Sequence, residues 1–115
     1  MSDRIVQEKS KEFAIRIVNL YKYLYEEKKE FIMSKQILRS GTSIGANLAE
    51  GDFASSKADF INKIHISLKE ASETGYWLEL LNKTDYITKE QFDSLYKDCD
   101  ELMCLLVSIV KKAKQ

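Results

Sequence analysis

The sequence predicts an all-α protein: an antiparallel up-down-up-down bundle of four helices that forms one domain over residues 1–115. Proline is absent and glycine occurs only four times, which favours long uninterrupted helices. Apolar residues also recur three and four positions apart through four segments, which is the period of an amphipathic helix. The connections between those segments are short, so consecutive helices are expected to run antiparallel. We assign the four helices to approximately residues 3–30, 35–50, 56–82 and 88–113.

The first predicted helix has an apolar face that is wider than one partner helix needs. Its main seam follows a 4-3-4-3-4 spacing through Val6, Ser10, Phe13, Ile17, Leu20 and Leu24. A second seam beside it contains Ala14, Val18, Tyr21 and Tyr25. Tyrosines in this position either cover the rim of the bundle or face another subunit. Under the second alternative, the candidate oligomer-interface residues are Tyr21, Tyr25, Trp77 and Tyr96.

The second predicted helix contains a ridge with almost no side chains. Gly41, Gly45 and Ala49 lie four residues apart and therefore fall on one side of the helix. A glycine inside a helix costs about 1 kcal/mol relative to alanine, so the ridge needs a packing or functional reason. It predicts the close approach of a neighbouring helix. A solvated charged run at residues 26–30 precedes this helix. Ser34 is expected to cap its start and Gly51 its end.

The third and fourth predicted helices begin with recognisable capping sequences. Ser56 is followed three residues later by Asp59, and Thr88 is followed by Gln91, which completes a capping box. The apolar seam of the third helix contains Ile61, Ile64, Leu68, Ala71, Gly75 and Leu78. The seam of the fourth contains Phe92, Leu95, Cys99, Leu102, Leu106 and Ile109.

A polar cluster is expected between the second and third helices. If these helices form a hairpin, Arg39 lies level with Glu70, and an ion pair of Arg39 with Glu70 or Glu73 is predicted. Asn47 and Glu50 share the polar side of the second helix with Arg39 and complete the predicted cluster. Such a cluster either fixes the register of the helices or binds a ligand, and both roles stay open.

The sequence offers no residues for catalysis or metal binding. Bundles with a di-iron site place Glu-x-x-His on two helices, but the single histidine, His65, is preceded at position 62 by Asn. The glycines do not form a phosphate-binding motif, and no arrangement supports a catalytic triad. Cys99 and Cys104 are expected to be buried free thiols in a reducing compartment. We therefore expect a protein that is not an enzyme and has no catalytic residues, metal, cofactor or small-molecule substrate.

The charge balance gives no general attraction to nucleic acid or to a membrane. Eighteen basic residues offset eighteen acidic ones, and no apolar run has the length of a membrane span or the form of a signal peptide. We expect a cytoplasmic protein. As an alternative, the second and third helices offer a local basic patch, whose candidate nucleic-acid contacts are Lys35, Arg39, Lys57 and Lys63.

Several stretches resemble the 23S rRNA intervening-sequence protein family, also called the four helix bundle protein family. They are residues 38–51 (LRSGTSIGANLAEG), 56–60 (SKADF), 68–74 (LKEASET) and 76–78 (YWL). The resemblance implies an antiparallel four-helix subunit that is similar to the accessory variability protein of diversity-generating retroelements. It further implies a ring-like homopentamer that binds RNA and a reverse transcriptase.

We therefore expect a self-associating helical scaffold that acts as an accessory factor of a ribonucleoprotein or a reverse transcriptase. The alternative is direct RNA binding through basic patches that are repeated around an oligomer.

Overall fold

The computed structural model describes residues 4–115 and contains four α-helices. They are α1 (Arg4–Glu26), α2 (Met33–Gly51), α3 (Lys57–Lys83) and α4 (Lys89–Ala113). Each helix packs against the next one in the chain, and α1 also packs against α4, so the four axes form a square in cross-section. The bundle measures 45 × 21 × 19 Å. The predicted antiparallel four-helix bundle is confirmed.

The connections define two tips that are used below as reference points. The α1–α2 and α3–α4 connections lie at the upper tip, and the α2–α3 connection lies at the lower tip. α1 ends at Glu26, four residues before the predicted end at residue 30, and its predicted start at residue 3 lies outside the described residues. The chain leaves the helix there because Lys29 adopts a positive φ of 55° and the Glu30 amide turns back to donate to the Leu24 carbonyl over 2.9 Å.

α2 begins earlier and ends later than the sequence predicts. Ser34 lies within the first turn of the helix and is not its N-cap, because α2 starts at Met33. Gly51 is not a C-cap: it is the last helical residue, and its φ is not positive. It is buried against α3 instead, where a Cβ would lie 3.6 Å from Phe60 Cδ1.

The caps predicted for α3 and α4 are present. Ser56 Oγ accepts a hydrogen bond from the Asp59 amide over 3.0 Å. In the capping box of α4, Thr88 Oγ1 accepts from the Gln91 amide over 3.1 Å and Gln91 Oε1 accepts from the Thr88 amide over 2.8 Å. Both caps satisfy backbone donors that lack partners in the first helical turn.

The core is formed by the predicted seams, with changes in α3 and α4. All six residues of the main α1 seam are buried. In α4 the buried set ends with Val110, and Phe92 and Ile109 of the predicted seam are only partly buried. In α3, Ile61 and Leu68 are likewise only partly buried, while Ser67 and Thr74 are buried although the predicted seam omits them. The two hydroxyls donate to the Ile44 carbonyl and to Ser40 Oγ, each over 2.9 Å, so they join α3 to α2.

Candidate functional site

The glycine ridge of α2 lies against α1. A Cβ on Gly41 would be 2.8 Å from two side-chain carbons of Ile17, and a Cβ on Gly45 would be 3.1 Å from Ser10 Oγ. Only glycine therefore allows this separation of α1 and α2 without movement of a neighbour. Ala49, the third residue of the predicted ridge, is exposed. The close helix approach that the ridge predicts is thus made within one chain by the two glycines.

A shallow groove of about 320 Å³ runs along the outside of the α1–α2 pair. Its lining residues are mostly small, and they are Gln7, Ser10, Lys11, Ala14, Thr42, Gly45, Ala46 and Ala49. Toward the upper tip, the rings of Tyr21 and Tyr25 lie 5.5 Å apart, and the ring of Phe31 lies 4.8 Å from that of Tyr25. We call this groove and its aromatic cluster the α1–α2 face.

A second groove, of about 250 Å³, runs along the outside of the α3–α4 pair. It is lined by Ala71, Ser72, Gly75, Tyr76, Glu79, Tyr96, Cys99, Asp100 and Met103. The Tyr96 ring packs onto Gly75, where a Cβ would be 3.3 Å from its Cε1, and lies 5.1 Å from the Phe92 ring. We call this groove and these rings the α3–α4 face.

The two cysteines lie in different surroundings. The Cys99 thiol is buried below the second groove and donates to the Ala71 carbonyl over 3.2 Å. Burial raises the pKa of Cys99 to about 12, and the nearby negative charge of Asp100 acts in the same direction. Cys104 is exposed, so the prediction of two buried thiols is wrong for this residue. It points outward because it lies about 140° from Cys99 around α4.

Two ion pairs join α1 to α4 on the surface of the bundle. Lys9 Nζ lies 3.4 Å from Glu101, and Arg16 Nη1 lies 2.6 Å from Asp98. Arg16 Nη2 also donates to Ser94 Oγ over 2.9 Å. This side of the bundle therefore presents charged and hydroxyl groups that already have partners in the same chain.

The opposite side, between α2 and α3, contains the predicted arginine ion pair. Arg39 Nη1 lies 3.1 Å from Glu70 Oε1, and Arg39 Nη2 pairs with Glu73. The Trp77 indole N–H donates to the same Glu73 carboxylate over 2.9 Å. Arg39 therefore joins α2 to two successive turns of α3.

The other two members of the predicted polar cluster lie elsewhere. The side-chain amide of Asn47 donates to the Ser43 carbonyl within α2. Glu50 forms an ion pair with Lys63 of α3 over 2.8 Å. Glu50 follows Arg39 by eleven residues, which is a rise of about 16 Å along a helix. The prediction of one cluster was wrong because a shared side of a helix does not place residues at the same height.

The candidate interface and nucleic-acid residues are also divided. Tyr21 and Tyr25 belong to the α1–α2 face, Tyr96 belongs to the α3–α4 face, and Trp77 bonds to Glu73. Among the four predicted nucleic-acid contacts, Arg39 and Lys63 are held in ion pairs with carboxylates. The remaining two, Lys35 and Lys57, are exposed.

Within residues 4–115, no group of three His, Cys, Asp or Glu side chains could hold a metal ion. Every buried side-chain nitrogen or oxygen of the described chain has a hydrogen-bond partner. None of the four described helices combines the length and apolar character that crossing a membrane requires.

The fold and its surfaces define a small antiparallel four-helix-bundle protein with two grooved faces. The chain belongs to the 23S rRNA-intervening sequence protein family, whose family model matches residues 2–108. It is similar to a crystal structure of a protein of unknown function from the S23 ribosomal protein family of Bacteroides thetaiotaomicron. The two chains are 65% identical, with a TM-score of 0.92 and coverage of 92% of this chain and 98% of that one. No curated protein matches the chain. The family resemblance predicted from the sequence is confirmed.

Proposed function

We propose that this protein is a non-enzymatic scaffold that assembles with itself in the cytoplasm and acts as an accessory factor of a ribonucleoprotein or reverse transcriptase. The observation that carries the proposal is the distribution of surface chemistry around the square bundle. The α1–α2 and α3–α4 faces bear mostly small, aromatic and apolar residues, while the other two sides carry ion pairs between neighbouring helices.

The two grooved faces lie on opposite sides of the molecule, because the helices follow one another around the square. A subunit with contact surfaces on opposite sides can bind one neighbour on each side. Repetition of such a contact closes a ring when the rotation between neighbours allows it. A ring of five subunits is the assembly that we favour.

The non-enzymatic part of the proposal is supported by how the polar residues are used. The clustered charges, Arg39 with Glu70 and Glu73 on one side and Arg16 with Asp98 on the other, are paired on the bundle surface. The Cys99 thiol is held protonated by burial at neutral pH, which leaves little of the nucleophilic thiolate.

Direct RNA binding remains the alternative function. Its support is the exposed Lys35 and Lys57, which a ring would repeat around its circumference. The ion pairs of Arg39 and Lys63 weaken that support, because a carboxylate within hydrogen-bonding distance competes with phosphate for the cation.

The native mass of the purified protein tests the proposal. The particle is prepared at low salt without nuclease and measured by light scattering before and after ribonuclease treatment. Self-assembly predicts a multiple of the 13.3 kDa chain that survives ribonuclease, and a pentamer predicts about 67 kDa. A particle that falls to the monomer mass with ribonuclease would instead support RNA binding. A monomer under all conditions would refute both functions as stated.

A further inference from the structure

We propose that the α3–α4 face of one copy is covered by the α1–α2 face of a second copy, with the two bundles parallel. This inference rests on the self-association proposed above and specifies which surface meets which. It follows from the charges on the two faces, their heights along the bundle and the area that each face offers.

The charged side chains that line the two grooves are of opposite sign, although Lys83 and Lys89 lie beside Glu79 in an adjoining pocket. Lys11 lines the α1–α2 groove, whereas Glu79 and Asp100 line the α3–α4 groove. Two further lysines extend the basic side: Lys22 follows Lys11 by eleven residues, or three turns of α1, and Lys35 lies in the first turn of α2. Contact between like faces would bring equal charges together, while contact between unlike faces brings cations to carboxylates.

The heights of these charges favour parallel bundles. Lys22 precedes the end of α1 by four residues and Glu79 precedes the end of α3 by four residues, and both helices end at the upper tip. Each is therefore about 6 Å below that tip. Asp100 lies about 16 Å below the upper tip and Lys11 about 22 Å below it. The difference between the two heights, about 6 Å, is within the reach of a lysine side chain. Inverting one copy would move Lys22 to the far end, away from Glu79.

The size of each face is sufficient for a stable contact. A side of this bundle, 45 Å long and about 20 Å wide, offers about 900 Å² to a partner. Stable protein interfaces bury about 800 Å² on each partner. Full use of the face therefore matches the requirement, and a contact limited to one groove would fall short of it.

Contact between unlike faces makes a sharp prediction for mixtures of blocked variants. Ala46→Arg blocks the α1–α2 groove and Ser72→Arg blocks the α3–α4 groove, and both positions are exposed, so the bundle itself should fold. Each variant alone should be a monomer, because every contact needs one surface of each kind. An equimolar mixture should form a 1:1 dimer, since one intact pair of faces remains.

The matched control is Asn19→Arg, an exposed position one turn after Arg16 on the ion-paired α1–α4 side. It should assemble like the unmodified protein. Circular dichroism of all variants verifies that the helices are retained. The masses are measured by light scattering and by native mass spectrometry with one partner isotope-labelled.

The outcomes separate the two proposals. A monomeric unmodified protein refutes self-association itself. If the unmodified protein assembles but either blocked variant still dimerises alone, or the mixture stays monomeric, self-association stands and the pairing of unlike faces is wrong. Loss of assembly in Asn19→Arg would also refute it, because the contact would then include the α1–α4 side.

A charge exchange provides a second test that does not depend on steric blocking. Lys22→Glu and Glu79→Lys should each weaken self-association about tenfold, since each places like charges opposite one another between copies. The double variant restores opposite charges and should recover most of the affinity. Additive losses in the double variant would show that these residues do not meet.

Discussion

Glu30 has a buried carboxylate that caps the N-terminus of α2 from the preceding connection. Its oxygens accept hydrogen bonds from the amides of Ile32, Met33 and Ser34 over 3.2, 3.1 and 2.7 Å. The Ser34 hydroxyl in turn donates to the Glu30 carbonyl over 2.7 Å. Three amides at a helix N-terminus offer a negative charge both hydrogen-bond donors and the positive end of the helix dipole. Glu30 therefore caps the start of α2, which is the role predicted from the sequence for Ser34.

Replacement of Glu30 should lower the free energy of unfolding more than replacement of another residue in the same charged connection. We expect Glu30→Ala to lower the free energy of unfolding by about 2–3 kcal/mol, because several amides of α2 lose a charged acceptor in a buried site. Glu27→Ala, in the same run but exposed, should change it by less than about 0.5 kcal/mol. Urea unfolding followed by circular dichroism measures both. Equal effects of the two substitutions would contradict the capping role.

The two cysteines should differ strongly in reactivity. At pH 8 a thiol reagent should modify Cys104 in the native protein and reach Cys99 only after unfolding, because burial raises the pKa of Cys99 to about 12. Cys104→Ser should remove almost all native labelling. Rapid modification of both thiols in folded protein would show that Cys99 is accessible.

The raised pKa of Cys99 should make the free energy of unfolding fall in alkaline solution. The unfolded chain releases the Cys99 proton near pH 8.5, whereas the folded chain keeps it up to about pH 12. The contribution of Cys99 to the free energy of unfolding is therefore fully present below about pH 8.5 and declines between that pH and about pH 12. Cys99→Ala should flatten the pH dependence of unfolding in this window relative to Cys104→Ala.

Arg39 should couple measurably to Glu70. The Arg39 side chain is 47% exposed and that of Glu70 is 21% exposed, so solvent screens the pair only in part. In a double-mutant cycle with Arg39→Leu and Glu70→Leu, we expect a coupling of about 1 kcal/mol. The exposed pair of Lys89 and Asp93 within α4 is the control and should give about 0.3–0.5 kcal/mol. No coupling for Arg39 would mean that the pair does not fix the α2–α3 register.

At the scale of helices, two glycines of α2 should respond to alanine in opposite directions. Gly41→Ala should lower the free energy of unfolding by about 1–3 kcal/mol, because its Cβ would lie 2.8 Å from the branched, buried side chain of Ile17. Gly51→Ala should raise it by about 0.5–1 kcal/mol, since its Cβ would meet Phe60 at an ordinary 3.6 Å and helical conformation favours alanine. Thermal unfolding measures both. Stabilisation by Gly41→Ala would show that α1 moves away at little cost.

The helices also show which features the sequence alone determines. The main α1 seam was predicted completely because apolar side chains repeat at helical spacing, and burial follows that repeat. The same reasoning missed Ser67 and Thr74 in α3, which are buried because their hydroxyls bond to α2. A search for apolar residues cannot identify such positions. The role of Glu30 was missed for a similar reason, since its carboxylate reaches the helix from a preceding loop.

At the scale of the whole molecule, contacts between helices were harder to predict than the helices themselves. The arginine ion pair was predicted because an antiparallel hairpin fixes which residues of α2 and α3 share a height. Asn47 and Glu50 were assigned to the same cluster by their side of the helix alone, and the structure separates them from Arg39. The two opposite faces became evident only once the order of the helices around the square was known.

The charges on those faces should make the proposed self-assembly sensitive to salt. Between 0.05 and 0.5 M NaCl the screening length falls from about 14 to about 4 Å, so attraction of Lys11 and Lys22 to Asp100 and Glu79 of a neighbour should weaken. We expect the self-association constant to fall about five- to tenfold in sedimentation equilibrium, without complete dissociation, because apolar contact persists.

Removing the two carboxylates separates this effect from general salt effects. The double variant Glu79→Gln, Asp100→Asn should associate more weakly at low salt and show a much smaller change with salt. Ribonuclease-treated protein must behave in the same way, since RNA-mediated association is also lost as salt rises. If the variant and the unmodified protein respond equally to salt, these carboxylates do not meet cations of a neighbour, and another part of the bundle surface must carry the contact.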